Sequence, residues 1–202
     1  RALKIYEELQ ENKKIAIVIS NIGLIYSNIK DYRNALKFYS QALDIAEEEN
    51  DKESLLVTNI NIGLTHNLLG NHKASLNFLN DALELALEKN DKHRTSLALD
   101  NIAETNIHIN NITEAYRLFE ESRTIKLELD DRKGLVKIFG TVGRLKLLEN
   151  KIDEAKDYLE KAVSIAEELG LKKSIYELHH NLSEAFEEEK DTESALRHLK
   201  LA

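Results

Sequence analysis

Shifted by 40 residues, the sequence falls into register with itself. Gly23, Gly63 and Gly143 share one phase, and Ala103 and Ser183 fill the two remaining slots. Twelve residues later stand Ala35, Ser75, Ala115, Ala155 and Ala195; four further on the column is bulky, with Tyr39, Leu79, Phe119, Leu159 and Leu199. Three beyond that it is small again, with Ala2, Ala42, Ala82, Ser122, Ala162 and Ala202. A period of this length marks an array whose units bury their apolar faces only against one another. Small residues let two helix backbones approach, and the aromatic or Leu fills the space beside the crossing. A bulky residue at Gly63 or Ala115 would overpack that crossing.

The chain has no Pro and only 7 Gly, so long helices joined by short polar turns are expected, and with them an all-α class. Polar clusters recur 40 apart in two sets. One joins helices within a hairpin, at 28–31, 70–72, 110–111, 149–151 and 190–191; the other joins successive hairpins, at 50–52, 90–92, 130–132 and 170–172. Asp51 and Asp91 read as N-caps and Gly170 as a left-handed C-cap. The spacing predicts helices over 14–29, 32–49, 52–69, 72–89, 92–109, 112–129, 132–149, 152–169, 172–189 and 192–202. A partial helix of a preceding repeat is expected at 1–11, and the missing initiator Met reads as that of an excised fragment. At 202 residues and 42% hydrophobic content the chain can bury about 70% of its unfolded surface, with no staple required.

Small, small, bulky and small residues at 0, +12, +16 and +19 resemble the tetratricopeptide repeat. The common form has a 34-residue period; six further residues after the last small column imply longer helices. That variant resembles the 40-residue repeats of kinesin light chains, cell-polarity adaptors, bacterial peptide-pheromone receptors and sensor-kinase input domains. HEAT repeats have similar length but lack this spacing and usually carry Pro. The resemblance covers the whole chain and implies a right-handed α-α superhelix, a solenoid of tetratricopeptide-type hairpins. It is expected to form a single solenoid over 1–202, with repeats at 12–51, 52–91, 92–131, 132–171 and 172–202.

The resemblance also places the first helix of each hairpin on a concave face, with the residue two before the Gly position pointing into a groove. That column is Asn21, Asn61, Asn101, Thr141 and Asn181. Asn competes for its own backbone and is a middling helix former, while its amide offers both donors and an acceptor to an extended peptide main chain. Two readings stay open: a ladder gripping a ligand backbone, or amides that bond one another or water between neighbouring first helices. Residues at −4, +3 and +7 from each rung share its helical face. They are Ile17, Leu24, Val57, Leu64 and Leu68 in the first two hairpins, then Leu97, Glu104 and His108, then Lys137 and Arg144, then Glu177, Glu184 and Glu188. An apolar end thus grades through a basic patch to an acidic end, complementary to a peptide with apolar anchors in one half and mixed charge in the other. The alternative is that Leu24, Leu64 and Leu68 pack between hairpins and the charges are solvated. The position before each rung holds Ser20, Ile60, Asp100, Gly140 and His180, so the two-carboxylate clamp of chaperone-binding relatives is absent.

Lys and Arg total 28 against 36 Asp and Glu, a net charge of −8 that disfavours nucleic acid. From Lys151 onward 8 basic and 13 acidic side chains carry −5 of it. Without Cys there is no disulfide, thiolate nucleophile or Cys-ligated zinc. No apolar run is long enough to span a membrane, and no signal segment opens the chain. His179, His180 and Glu184 form the best metal-like cluster, but two ligands one turn apart do not make a site. No phosphate-cradling loop, HExxH or Gly-flanked Ser appears, so neither a cofactor nor an enzyme is expected. The Asn111–Thr113 and Asn181–Ser183 glycosylation patterns read as accidents of an Asn-rich chain. The expected role is a protein- or peptide-binding scaffold, the sensing or interaction part of a larger bacterial signalling or regulatory protein. The alternative is a structural spacer that self-associates through its repeat ends. The resemblance allows a cytoplasmic receptor or an extracytoplasmic input domain.

Overall fold

The computed structural model describes Tyr6 and residues 11–202. The partial helix expected at 1–11 lies outside those residues, Tyr6 and Glu11 excepted. Ten helices follow: α1 (Asn12–Asn28), α2 (Tyr32–Glu48), α3 (Lys52–Leu68), α4 (His72–Glu88), α5 (Lys92–His108), α6 (Ile112–Glu128), α7 (Arg132–Leu148), α8 (Ile152–Glu168), α9 (Lys172–Glu188) and α10 (Thr192–Leu201). Among the described residues there is no strand. Helices α1 to α9 are each 17 residues long and end one residue before the position expected, because that residue is the C-cap.

The linkers explain this regularity. The second residue after every helix from α1 to α9 has positive φ: Lys30, Asn50, Gly70, Asn90, Asn110, Asp130, Asn150, Gly170 and Lys190. The next residue's N–H closes back onto the carbonyl five positions earlier at 2.8–2.9 Å, as Asp31 N donates to Tyr26 O and Asp91 N to Ala86 O. This is the Schellman closure, which satisfies carbonyls left over at a helix end. The same residue is the N-cap of the following helix. Where it is Asp, at 31, 51, 91, 131 and 191, its carboxylate accepts from a backbone N–H of the new first turn. At Asp91 the Arg94 backbone N–H, helped by the Arg94 side chain, holds the carboxyl below its ordinary range.

The chain divides into two compact units, one ending at Ser122 within α6 and one beginning at Arg123. In the first, the second helices of the hairpins bury a narrow stripe of small residues around one bulky residue: Ala35, Tyr39, Ala42 and Ala46 on α2, and Ser75, Leu79, Ala82 and Ala86 on α4. The bulky residue sits against the glycine of the partner helix. A Cβ at Gly23 would lie 2.7 Å from the Tyr39 ring, and one at Gly63 would lie 2.6 Å from Leu79 Cγ. Burial pushes the Tyr39 phenol up to about 12. Leu56, Ile60, Ala82 and Ala86 form a core cluster against which Val57, Leu64, Leu85 and Leu97 pack.

The second unit repeats the scheme. A Cβ at Gly143 would meet Leu159 Cγ at 2.7 Å, and Ala155, Leu159, Ala162 and Ala166 form the stripe of α8. Leu135, Val136, Phe139, Leu178 and Leu182 complete its core. One position departs from the pattern. Lys126 stands where Ala46, Ala86 and Ala166 stand in the other hairpins, yet it is buried. Its stem runs past Gly134, where a Cβ would lie 2.7 Å from Lys126 Cδ, and its amine pairs with Asp131 at 3.4 Å. A long side chain is accommodated because the facing residue has none.

Candidate functional site

The rung column occupies the tenth residue of each first helix, a phase fixed by the linker that starts the helix. In the first unit its burial deepens along the chain: Asn21 is exposed, Asn61 half-buried and Asn101 only 3% exposed. Helix α5 is polar to its core, with Thr95, Ser96, Asp100, Asn101, Thr105 and Asn106 all buried. Such groups need partners, and nearly all have them. Thr95 Oγ1 donates to Asp91 O, and Ser96 Oγ to His93 O. Asn106 Nδ2 donates to Ile102 O, and its Oδ1 accepts from Asn111 Nδ2. Ser122 Oγ donates to the Asp100 carboxylate at 2.6 Å. The exception is Asn101, whose buried Nδ2 has no hydrogen-bond partner. Behind it, Thr105 Oγ1 donates to the Asn101 carbonyl, as Thr65 Oγ1 does to the Asn61 carbonyl. The backbone carbonyls of Asn61 and Asn101 are occupied, and the Asn101 Nδ2 is not.

Between α1 and α3 lies a recess of about 240 Å³, lined among others by Ala16, Ile17, Ser20, Asn21, Val57 and Thr58. Ile17 and Leu24 are 50% and 42% exposed, and Leu68 is 62% exposed. Leu64 is half-buried and packs against the core cluster of its own hairpin. Glu104 is half-buried; His108 is exposed and stacks on His72 with ring centroids 5.3 Å apart.

In the second unit Thr141 and Asn181 are half-buried, and Lys137, Arg144, Glu177, Glu184 and Glu188 are exposed. Leu148, at +7 from Thr141, is 78% exposed, an apolar side chain beside the basic pair. His180 Nε2 stands 3.6 Å from Glu184 Oε1, but His179 turns inward and is buried. Among the described residues no group of three or more His, Asp or Glu could hold a metal ion. None of their helices is long and apolar enough to cross a membrane.

Solved structures with the same arrangement of hairpins are numerous, and three illustrate the range. BtubC (BKLC) from P. vanneervenii has a TM-score of 0.83 at 17% identity, over 99% of this chain and 85% of that one. The apo quorum sensor NprR from B. thuringiensis has a TM-score of 0.81 at 16% identity, over 98% of this chain and 56% of that one. A Rap protein in complex with Competence and Sporulation Factor has a TM-score of 0.74 at 18% identity, over 98% of this chain and 67% of that one. No curated protein matches the sequence. Family models described as tetratricopeptide repeat match residues 14–88 and 136–169, together more than half of the chain. The fold is that of a protein-interaction scaffold, and the chain belongs to the tetratricopeptide repeat family.

Proposed function

We propose that the first unit binds an extended peptide segment, with Asn21, Asn61 and Asn101 pairing to the ligand main chain and the recess beside Ile17 and Val57 taking an apolar side chain. The observation that carries this reading is the partnerless buried Nδ2 of Asn101. A buried donor left unmade costs about 1–3 kcal/mol, and a ligand carbonyl would remove that cost on binding. Leu24 and Leu68 add apolar contact on the same face, and Glu104 and His108 set the chemistry at its far end. In the second unit Thr141 and Asn181 offer the corresponding polar contacts, flanked by Lys137 and Arg144 and then by acidic residues. The Rap protein bound to Competence and Sporulation Factor and the quorum sensor NprR support a sensing role, within a larger bacterial regulatory protein.

The test is selection from a display library of random 12-residue peptides. Wild-type chain should enrich a defined set, and the Asn61→Ala, Asn101→Ala double variant should bind that set about tenfold or more weakly, since each lost hydrogen bond contributes about 1 kcal/mol. Circular dichroism should be unchanged. Equal affinity of the two proteins for the enriched peptides would refute the reading.

A further inference from the structure

The last hairpin contains a pair of histidines that the binding reading does not use. His179 on α9 is 3% exposed, and its Nδ1 lies 3.0 Å from Nδ1 of His198 on α10. The rings are 5.1 Å apart, and His198 also stacks on Phe186 at 5.2 Å with planes 9° apart. Two Nδ1 atoms can bond only if one carries a proton and the other presents its lone pair, so the neutral rings must be opposite tautomers. Glu167 Oε1 stands 3.9 Å from His179 Nε2. That carboxylate favours the proton on Nε2, which leaves His179 Nδ1 as acceptor and His198 as donor.

The repeat shows that this packing does not require histidine. The positions 40 residues earlier hold Phe139 and Tyr158, whose rings also touch, at 6.1 Å. Phe38 and Phe78 occupy the His198 position in earlier hairpins and stack on Tyr26 and His66 as His198 stacks on Phe186. The final hairpin therefore places two titratable rings where its neighbour uses two that do not titrate in the acid range.

We propose that His179 and His198 form an acid-sensitive clasp that holds α10 against α9 while the pair is neutral and releases it once both rings are protonated. One proton preserves the contact, since an imidazolium still donates to an imidazole. A second puts two N–H groups and two like charges face to face at 3.0 Å. The surrounding charges are Glu167, Glu160 and Lys156 on α8 and Arg197 on α10. Glu167 favours the charged form of His179 and Glu160 that of His198, whereas Arg197 opposes it. Burial outweighs these and holds both rings below the ordinary histidine range. With α10 detached from α9, both histidines would titrate near 6.5. The detached state thus takes up protons first, so docking is fully stable above about pH 6.5 and weakens as pH falls below it.

The experiment is hydrogen exchange of the 202-residue chain at pH 7.5 and 5.0, corrected for intrinsic rates, beside a His179→Phe, His198→Tyr variant that copies the preceding hairpin. Protection of the wild-type amides of 192–201 should fall by more than about twofold at the lower pH, and that of the variant by less. Unchanged wild-type protection, or an equal loss in the variant, overturns the proposal. Ring-proton and nitrogen NMR of the wild type provides a check that needs no variant. Both rings should titrate below 6.5 and show opposite tautomers at pH 7.5; titration at or above 6.5, or matching tautomers, overturns it equally.

Discussion

Replacing Asn101 by Ala should make the chain more stable, the reverse of what most buried substitutions do. Its Nδ2 is buried without a partner, so truncation relieves a penalty of about 1–3 kcal/mol. Alanine adds up to about 0.7 kcal/mol as the better helix former. Against this stands the small void left by the amide, whose cost grows by about 24 cal/mol per Å³. The net expectation is a gain of about 1 kcal/mol. Asn106, five residues on in α5 and also buried, is the control. Its Nδ2 donates to Ile102 O at 2.9 Å and its Oδ1 accepts from Asn111 at 3.0 Å, so Asn106→Ala should destabilise by about 1–2 kcal/mol through the partner it orphans. Urea midpoints followed by helical circular dichroism compare the two without assuming a two-state transition, which repeat arrays need not obey. Combined with weaker peptide binding, greater stability of Asn101→Ala marks a residue kept for function at a cost to folding. Destabilisation of Asn101→Ala equal to that of Asn106→Ala would refute the reasoning, because it would mean the amide already has an internal role.

Gly63→Ala should destabilise by about 1–2 kcal/mol despite alanine's helix propensity, since the new Cβ falls 2.6 Å from the fully buried Leu79. With Leu79→Ala added, the loss measured by urea unfolding should be smaller than the sum of the single losses by 1 kcal/mol or more, and additivity would remove the close crossing as the cause. Lys30→Gly, at φ 63°, should raise stability by about 1 kcal/mol, while Gly70→Ala, at φ 75° with nothing near its Cβ, should lower it by a similar amount; thermal midpoints check both. The Asp91 carboxyl is held below its ordinary range by the Arg94 N–H and side chain, so its cap is intact above about pH 3.9 and is lost as pH falls through the depressed value. Asp91→Asn should therefore flatten the acid limb of a stability-versus-pH curve, which urea titration at pH 2.5–5 would register.

The packing columns were legible because each is a single size class of residue repeated for a single steric reason. Gly23, Gly63 and Gly143 face Tyr39, Leu79 and Leu159, as the +16 spacing implies. The linkers were half legible. Gly170 announces a left-handed residue by its composition, but Asn50, Asn90, Asn110 and Asn150 do the same work and read only as polar turn residues. Lys30 and Lys190 carry no signal, since nothing in a lysine says it will sit at positive φ. In the candidate site the phase of the rungs was legible, but their differing depth was not. That depth depends on what packs over α5, and a residue's own sequence neighbours do not encode it. Lys126 escaped for a related reason: its burial makes sense only beside Gly134, which lies outside the repeating columns. The His179 and His198 contact joins residues 19 apart whose pairing is visible only after Phe139 and Tyr158 are seen to touch.

The 40-residue period and the rung column have one origin. Each linker spends a single residue as the closing position of one helix and the cap of the next, so two helices of 17 and two linkers of three fill the period with no slack. Every first helix then starts at the same offset, and its tenth residue returns to the same phase of its own helix. An insertion inside α5 before Asn101 would turn that rung by about 100°, given 3.6 residues per turn, and take it out of the column. An insertion in the linker at 109–111 would leave Asn101 in place and instead break the Schellman closure that joins α5 to α6. The first insertion shifts the phase of the buried face of α5, and the second breaks the junction between α5 and α6, so the two act on different parts of one scaffold whose spacing is set in its turns.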